Sequence, residues 1–273
     1  MKNKKILGLW KYLLAFVIMV IHFVPIYMVI AIAFKSPYDH SSRWIFPGYV
    51  YLKNIQTALE RGGMLSALKN TVLISAVAVV LIVVIGAMAA YPLARNKSKL
   101  NNVVRGFIMG VMMIPPLSIL VPLYSYMAKI GGINSYWGII VTLLTFQLPT
   151  SIFLFSSFIS SIPVALEEAA AIDGCGPFQT FFRIIMPQLK PVTASVIIIT
   201  GVNCWNNYQF ALYLLQSPKI KTVTLAIAGF FSADASNVNG AAAAAFLGIL
   251  PLIIVFLFLQ KYFIQGMVDS AIK

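Results

Sequence analysis

The 273-residue chain is 60% hydrophobic and only 10% charged, with a mean hydropathy of +0.90, which excludes an ordinary soluble domain and fits a polytopic membrane protein. Its net charge of +13 would point to nucleic acid in a soluble protein, but the basic residues lie between apolar runs and read there as a topology signal. Cys175 and Cys204 are the two cysteines and His22 and His40 the two histidines, too few and too scattered for a disulfide framework or a metal site.

In chain order, residues 1–11 form a short basic segment with Lys2, Lys4, Lys5 and Lys11, followed by an apolar run over 12–34. That run exceeds the about 7–15 residues of a signal-peptide core and lacks a small-x-small cleavage site, so it predicts a retained first span. A polar loop over 35–70 carries turn chemistry at Phe46-Pro47-Gly48 and Gly62-Gly63, with a short helix expected over 52–60. Further spans are predicted over 71–94, 106–127, 136–158, 192–215 and 240–259, each near the roughly 20 residues that cross a hydrocarbon core. Residues 241–245, all alanine, read as a small-residue packing face. The expected fold is all-α, a single transmembrane domain over 1–273 with six helices and a loop over 159–191. Six spans put both termini on one side. The density of Arg95, Lys97, Lys99 and Arg105 assigns that side to the cytoplasm, and the 159–191 loop with it.

That loop holds Glu167, Glu168 and Asp173, three of the seven carboxylates. Pro163 suits the start of a first helix and Gly174 its end; Gly176 and Pro177 suit the cap and first position of a second, which Pro187 closes. Phe178, Phe181, Phe182 and Ile185 fall at i, i+3, i+4 and i+7, predicting one apolar face. Ala165, Ala169, Ala170 and Ala171 offer a small-residue surface for close backbone approach. This is the pattern of a docking device, with no catalytic constellation.

Of the ionisable side chains, only His22 falls within a predicted span, so an ion-coupled pump has almost nothing to carry its ion. No GxxxxGK[ST] loop is present, and ATP, if used, must be bound by a partner. The polar content of the spans is uncharged. Asn203, Trp205, Asn206, Asn207, Tyr208 and Gln209 cluster in the fifth, while Gln147, Pro149 and Thr150 interrupt the fourth. Two readings of these residues stand open. The amides are interhelical glue at bends, or they line a passage for a hydroxyl-rich solute, amides pairing with hydroxyls and aromatic faces covering a sugar ring. Pro115, Pro116, Pro122 and Pro251 permit kinks in the third and sixth spans.

From Glu168-Ala169-Ala170 the chain resembles the EAA motif of membrane subunits of bacterial ABC importers: EAA, three residues, Gly, nine residues, Ile, one residue, Leu-Pro. Gly174, Ile184 and Pro187 fall in place, and Met186 stands where leucine is usual. Ile172-Asp173-Gly174, Cys204-Trp205-Asn206 and the stretch from Gln260 through Gly266 resemble the MalG-like permeases of carbohydrate importers. Ser270 and Val268-Asp269 depart from that pattern. The resemblance implies a multi-pass subunit of the bacterial cytoplasmic membrane, not itself an enzyme and holding no cofactor, among membrane lipid. Its implied partners are a second EAA-type permease, two cytoplasmic ATPase subunits that bind ATP and Mg, and an extracytoplasmic solute-binding protein, with a carbohydrate as cargo and no nucleic acid. It further implies that Glu167, Glu168, Ala169, Ala170, Asp173, Gly174, Phe178, Phe181 and Pro187 meet an ATPase cleft, the carboxylates pairing with basic groups there. Import of another solute, such as an amino acid, and a scaffold that conducts nothing are the alternatives.

Overall fold

A computed structural model describes residues 2–231 and 237–271, with side chains for 10–231 and 237–260. The side chains of Lys2, Lys4 and Lys5, and those of the carboxy-terminal stretch after Gln260, lie outside that description. Every described element is helical: α1 (Lys2–Ala33), α2 (Lys53–Glu60), α3 (Met64–Arg95), α4 (Lys99–Met112), α5 (Leu120–Lys129), α6 (Tyr136–Ser161), α7 (Ala165–Ile172), α8 (Pro177–Thr180), α9 (Met186–Gln188), α10 (Lys190–Trp205), α11 (Gln209–Leu214), α12 (Val223–Ala228) and α13 (Val238–Ala271). Trp10–Ala33, α3, α6 and Val238–Gln260 are long enough and apolar enough to cross a bilayer alone; two bent pairs bring the total to as many as six if each is one span. The chain packs as two compact units, residues 1–65 with 226–250, and residues 66–225 with 251–273.

In the first unit several carbonyls at and just past the carboxy end of α1 find side-chain or backbone donors. Asn54 donates to the carbonyls of Ala33 (2.9 Å) and Lys35 (2.8 Å), Asn239 to those of Ile32 (3.1 Å) and Lys35 (2.8 Å), and the Tyr51 N–H to that of Phe34 (3.0 Å). Ala241, Ala242, Ala243 and Ala244 are buried, as the small-residue reading expects, and Phe34 meets Phe246 edge-on at 5.5 Å. Earlier in α1 the apolar side chains from Tyr12 to Phe23 are exposed around the helix, which suits a lipid solvent.

The 35–52 loop folds over Lys35, whose ammonium is buried and donates to the carbonyls of Ser41 (3.2 Å), Ser42 (2.8 Å) and Ile45 (3.3 Å). Asp39 accepts from the Ser41 N–H at 2.9 Å and the Tyr49 hydroxyl at 2.5 Å. Hydrogen bonds from Ser41 first and Tyr49 next hold its carboxyl down at about 2, against an ordinary 3.8. A depressed carboxylate contributes stability that is present above its unfolded value and lost as pH falls toward the folded one. The loop is therefore expected to resist pepsin, in detergent-solubilised full-length protein, until pH drops below 3.8. Asp39→Asn should remove that acid step and leave sensitivity flat across the same range.

In the second unit α3 and α6 approach closely through small residues. A Cβ on Gly86 would lie 2.1 Å from the Ser151 hydroxyl, which itself donates to the Ile82 carbonyl at 3.1 Å. Phe155, Ile159, Ile185, Val196 and Leu143 fill the core around this contact. Gly86→Ala is accordingly expected to destabilise the protein by about 1–3 kcal/mol, as overpacking does. Adding Ser151→Gly should restore most of it, read as the melting temperature in detergent.

Two predicted spans differ from expectation. The third, expected over 106–127 with kinks permitted at its prolines, is α4 and a second segment, Pro116–Lys129, meeting at 91°. Pro115 and Pro116 supply no N–H, and Pro115 steers the residue before it out of helical geometry. Ser118 turns back on the Pro115 carbonyl through its N–H (3.0 Å) and hydroxyl (2.7 Å). The fifth, expected over 192–215, stops at Trp205, because Asn206, Asn207 and Tyr208 break the helix before α11. Asparagine competes for backbone groups, and the Asn207 side chain accepts from the Ala211 N–H at 3.3 Å to start the next helix.

Candidate functional site

The loop after α6 holds two short helices, as the turn residues predict. α7 ends at Ile172 with Gly174 in the left-handed region (φ +80), and the Cys175 N–H reaches back to the Ala170 carbonyl at 2.9 Å. This is a Schellman closure, which favours glycine because a Cβ is strained at that φ. Gly176 then caps α8, with Pro177 at its first turn and the Gln179 side chain accepting from the Gly176 N–H at 3.2 Å.

The second helix closes at Gln188, one residue past Pro187, and it is irregular on the way. After Thr180 the chain widens into a π turn over Phe181–Ile185, the Met186 N–H reaching the Phe181 carbonyl, and Pro187 sits in the opening turn of α9, where a missing N–H costs little. At Leu189, fully buried, the Pro177–Gln188 segment meets α10 at 74°. The wide turn also splits the predicted apolar face. Phe181 and Ile185 are buried, whereas Phe178 is 76% exposed and Phe182 half-exposed.

The carboxylates divide as well. Glu167 is turned inward, against the expectation that it meets a partner: Arg95 Nε donates to Oε1 at 2.6 Å and the Tyr91 hydroxyl to Oε2 at 3.0 Å. A second Arg95 nitrogen donates to the Ile162 carbonyl at 3.0 Å, and the Tyr91 ring packs on Phe181 at 5.2 Å. One arginine thus ties the end of α3 to the end of α6 and to α7. Both charged side chains are 15% exposed. Glu168 and Asp173 face solvent, as do Ala165, Ala169 and Ala171, while Ala170 is buried against the protein. Ile172, 87% exposed, completes an outward surface with Phe178. Sequence reading placed Arg95 only as a topology charge and passed over Tyr91. Nothing in local spacing pairs residues 72 positions apart.

The polar cluster does not converge on one point. Gln147 and Asn203 meet, Nδ2 of Asn203 donating to Oε1 of Gln147 at 3.2 Å, which bridges α6 and α10. Thr150 lies half-buried on α6. Asn207 sits in the break, its carbonyl accepting from the Thr224 hydroxyl at 3.0 Å. Trp205 is buried at the wall of an apolar cavity of about 360 Å³ formed with Ser75, Val79, Gly201, Pro251 and Phe256. Asn206, Tyr208 and Gln209 are exposed. The arrangement has a mechanical side, two outward helices wired to three long ones, and a polar side set among α6, α10 and α11.

Over residues 82–269 the chain matches the family described as binding-protein-dependent transport system inner membrane component. It is 42% identical over 262 residues, covering 96% of this chain and 95% of the relative, to the melibiose/raffinose/stachyose import permease protein MelC of Bacillus subtilis. It is 31% identical over 277 residues, 100% of this chain and 99% of the relative, to the multiple sugar-binding transport system permease protein MsmG of Streptococcus mutans. A crystal structure of a bacterial ABC transporter involved in alginate import shares the fold, with a TM-score of 0.81 at 20% identity over 96% of this chain and 98% of that one.

Proposed function

We propose, because the chain belongs to the family of binding-protein-dependent transport system inner membrane components, that it is the permease subunit of an importer of small oligosaccharides. Full-length similarity to MelC makes melibiose, raffinose and stachyose the first solutes to test. In this reading a second permease completes the pathway, an extracytoplasmic binding protein delivers the sugar, and two ATPase subunits bind ATP and Mg at the cytoplasmic face. The basic density around Arg95 to Arg105 supports cytoplasmic termini.

The observation that carries the coupling role is the wiring of α7 and α8. Glu168, Asp173, Ile172 and Phe178 face out, free to meet a cleft on the ATPase, while Glu167 and Phe181 face in and grip α3. Closure of the ATPases would push the two helices as a body. The 74° elbow at Leu189 passes that motion into α10, and the Arg95 clamp passes it into α3. Gln147 and Asn203, together on α6 and α10, are then placed where the moving helix meets its neighbour, and their exposed amides suit hydroxyl-bearing cargo.

Reconstitution tests this. Proteoliposomes holding both permeases and the ATPases, supplied with the binding protein, should accumulate radiolabelled raffinose only with ATP inside. Accumulation of an amino acid but no sugar would replace the cargo, and absence of ATP-dependent flux with any binding protein would favour a scaffold.

A further inference from the structure

We infer that the cleft between α4 and the second half of α6 seats the headgroup of an anionic phospholipid. The cleft has a volume of about 240 Å³, lined from α4 by Arg105 and Met109 and from α6 by Phe153 and the hydroxyls of Ser156, Ser157 and Ser160. On α6, Phe153, Ser156, Ser157 and Ser160 share one face by their i, i+3, i+4, i+7 spacing, so the wall passes from apolar to polar along the helix. Such a gradient matches an amphiphile better than a free ion.

The charge is uncompensated there. Between Glu60 and Glu167 the sequence contains no acidic residue, while Arg95, Lys97, Lys99 and Arg105 fall in that interval, from the last turn of α3 to the middle of α4. Glu167 is taken by Arg95, and among the described residues that is the one ion pair. Arg105 donates one nitrogen to the Leu93 carbonyl, which orients the guanidinium into the cleft and leaves its other N–H donors for a phosphodiester. Ser160 donates to the Ser156 carbonyl at 2.8 Å. The Ser156 and Ser157 hydroxyls make no hydrogen bond among the described residues and have donors to offer a phosphate oxygen. Met109 and Phe153, each 48% exposed, continue the wall as a bed for an acyl chain. Basic pockets between helices at the cytoplasmic side are suited to anionic lipid.

The inference rests on the proposed orientation, which puts this end of α4 in the inner leaflet. A single cysteine at Lys97 labelled by an impermeant reagent from outside would refute the orientation without touching the lipid result. The test is native mass spectrometry of the purified complex carrying full-length chain, delipidated and returned to equimolar phosphatidylglycerol and phosphatidylcholine. Wild type should retain phosphatidylglycerol over phosphatidylcholine by about fivefold, the scale of one added cation at a membrane surface. Arg105→Gln should abolish the preference and Arg105→Lys keep most of it. Ser156→Leu with Ser160→Leu, which fills the cleft and leaves Arg105 in place, should also abolish it, with gel filtration confirming intact assembly. Equal retention of both lipids by wild type, an unchanged preference in Arg105→Gln, equal loss in Arg105→Lys, or displacement of the lipid by millimolar inorganic phosphate would each overturn the inference.

Discussion

Gly174→Asp is expected to abolish solute-stimulated ATP hydrolysis by the assembled complex while leaving the chain inserted in the membrane. The reasons are backbone conformation and charge rather than steric crowding. Nothing lies within 4 Å of where a Cβ would stand at Gly174, so the space is open, but its φ of +80 is strained for a side chain by about 1–2 kcal/mol. Aspartate would also set a second carboxylate beside Asp173, on the surface proposed to meet the ATPase. Straightening this residue would lose the Schellman bond from Cys175 to Ala170 and re-aim α8, and with it Phe178, relative to Glu168. Asparagine and aspartate tolerate the left-handed region better than alanine, so Gly174→Asn should keep a larger share of activity than Gly174→Ala, while aspartate keeps the least because of its added charge. ATPase assays on the three variants with the binding protein and its sugar give the order. Hydrolysis at the wild-type rate in Gly174→Asp would falsify the role assigned to this turn.

The second large effect is expected at the Arg95–Glu167 pair. Glu167→Gln removes the charge from an enclosed contact and leaves the Arg95 guanidinium with neutral acceptors alone, the glutamine amide oxygen and the Ile162 carbonyl. Opening a fully buried pair costs roughly 3–5 kcal/mol; with both side chains 15% exposed, about 2 kcal/mol is expected here. The loss should fall on coupling as much as on folding, because the pair joins the outward helices to α3. Transport per ATP hydrolysed is therefore the informative readout, alongside the melting temperature. Arg95→Gln should cost more than Glu167→Gln, because it also loses the bond to the Ile162 carbonyl, and the two together should be less than additive, since each already breaks the same ion pair. Additive losses would mean the two side chains act independently.

The helical membrane architecture was legible from composition and span length, and the paired short helices from Pro163, Gly174, Gly176 and Pro177, because turn and cap chemistry is local. Three features were not. The exposure of Phe178 was hidden because i, i+3, i+4, i+7 spacing assumes a regular helix, whereas this segment widens into a π turn over Phe181–Ile185 and buries Phe181 and Ile185 without Phe178. The fifth span looked continuous because hydropathy averages over a window, which hides the three-residue break after Trp205. The inward turn of Glu167 was invisible because its partner lies on α3, and a carboxylate in a loop carries no sign of which charge it will face. The polar cluster was half legible. The sequence pattern singled out its residues, yet only the fold reveals that Gln147 and Asn203 meet while Trp205 turns to an apolar cavity.

The surface bearing Ile172 and Phe178 is where the ATPase is proposed to push. Photo-cross-linking tests it most directly. Benzoylphenylalanine placed at Phe178, 76% exposed, should capture the ATPase subunit in the membrane-embedded complex, more strongly in one nucleotide state than in another. The same probe at Tyr38, 84% exposed in the loop proposed to lie outside the cell, should capture no ATPase. An intact complex that gives no ATPase adduct from Phe178, or an equal one from Tyr38, would contradict the account.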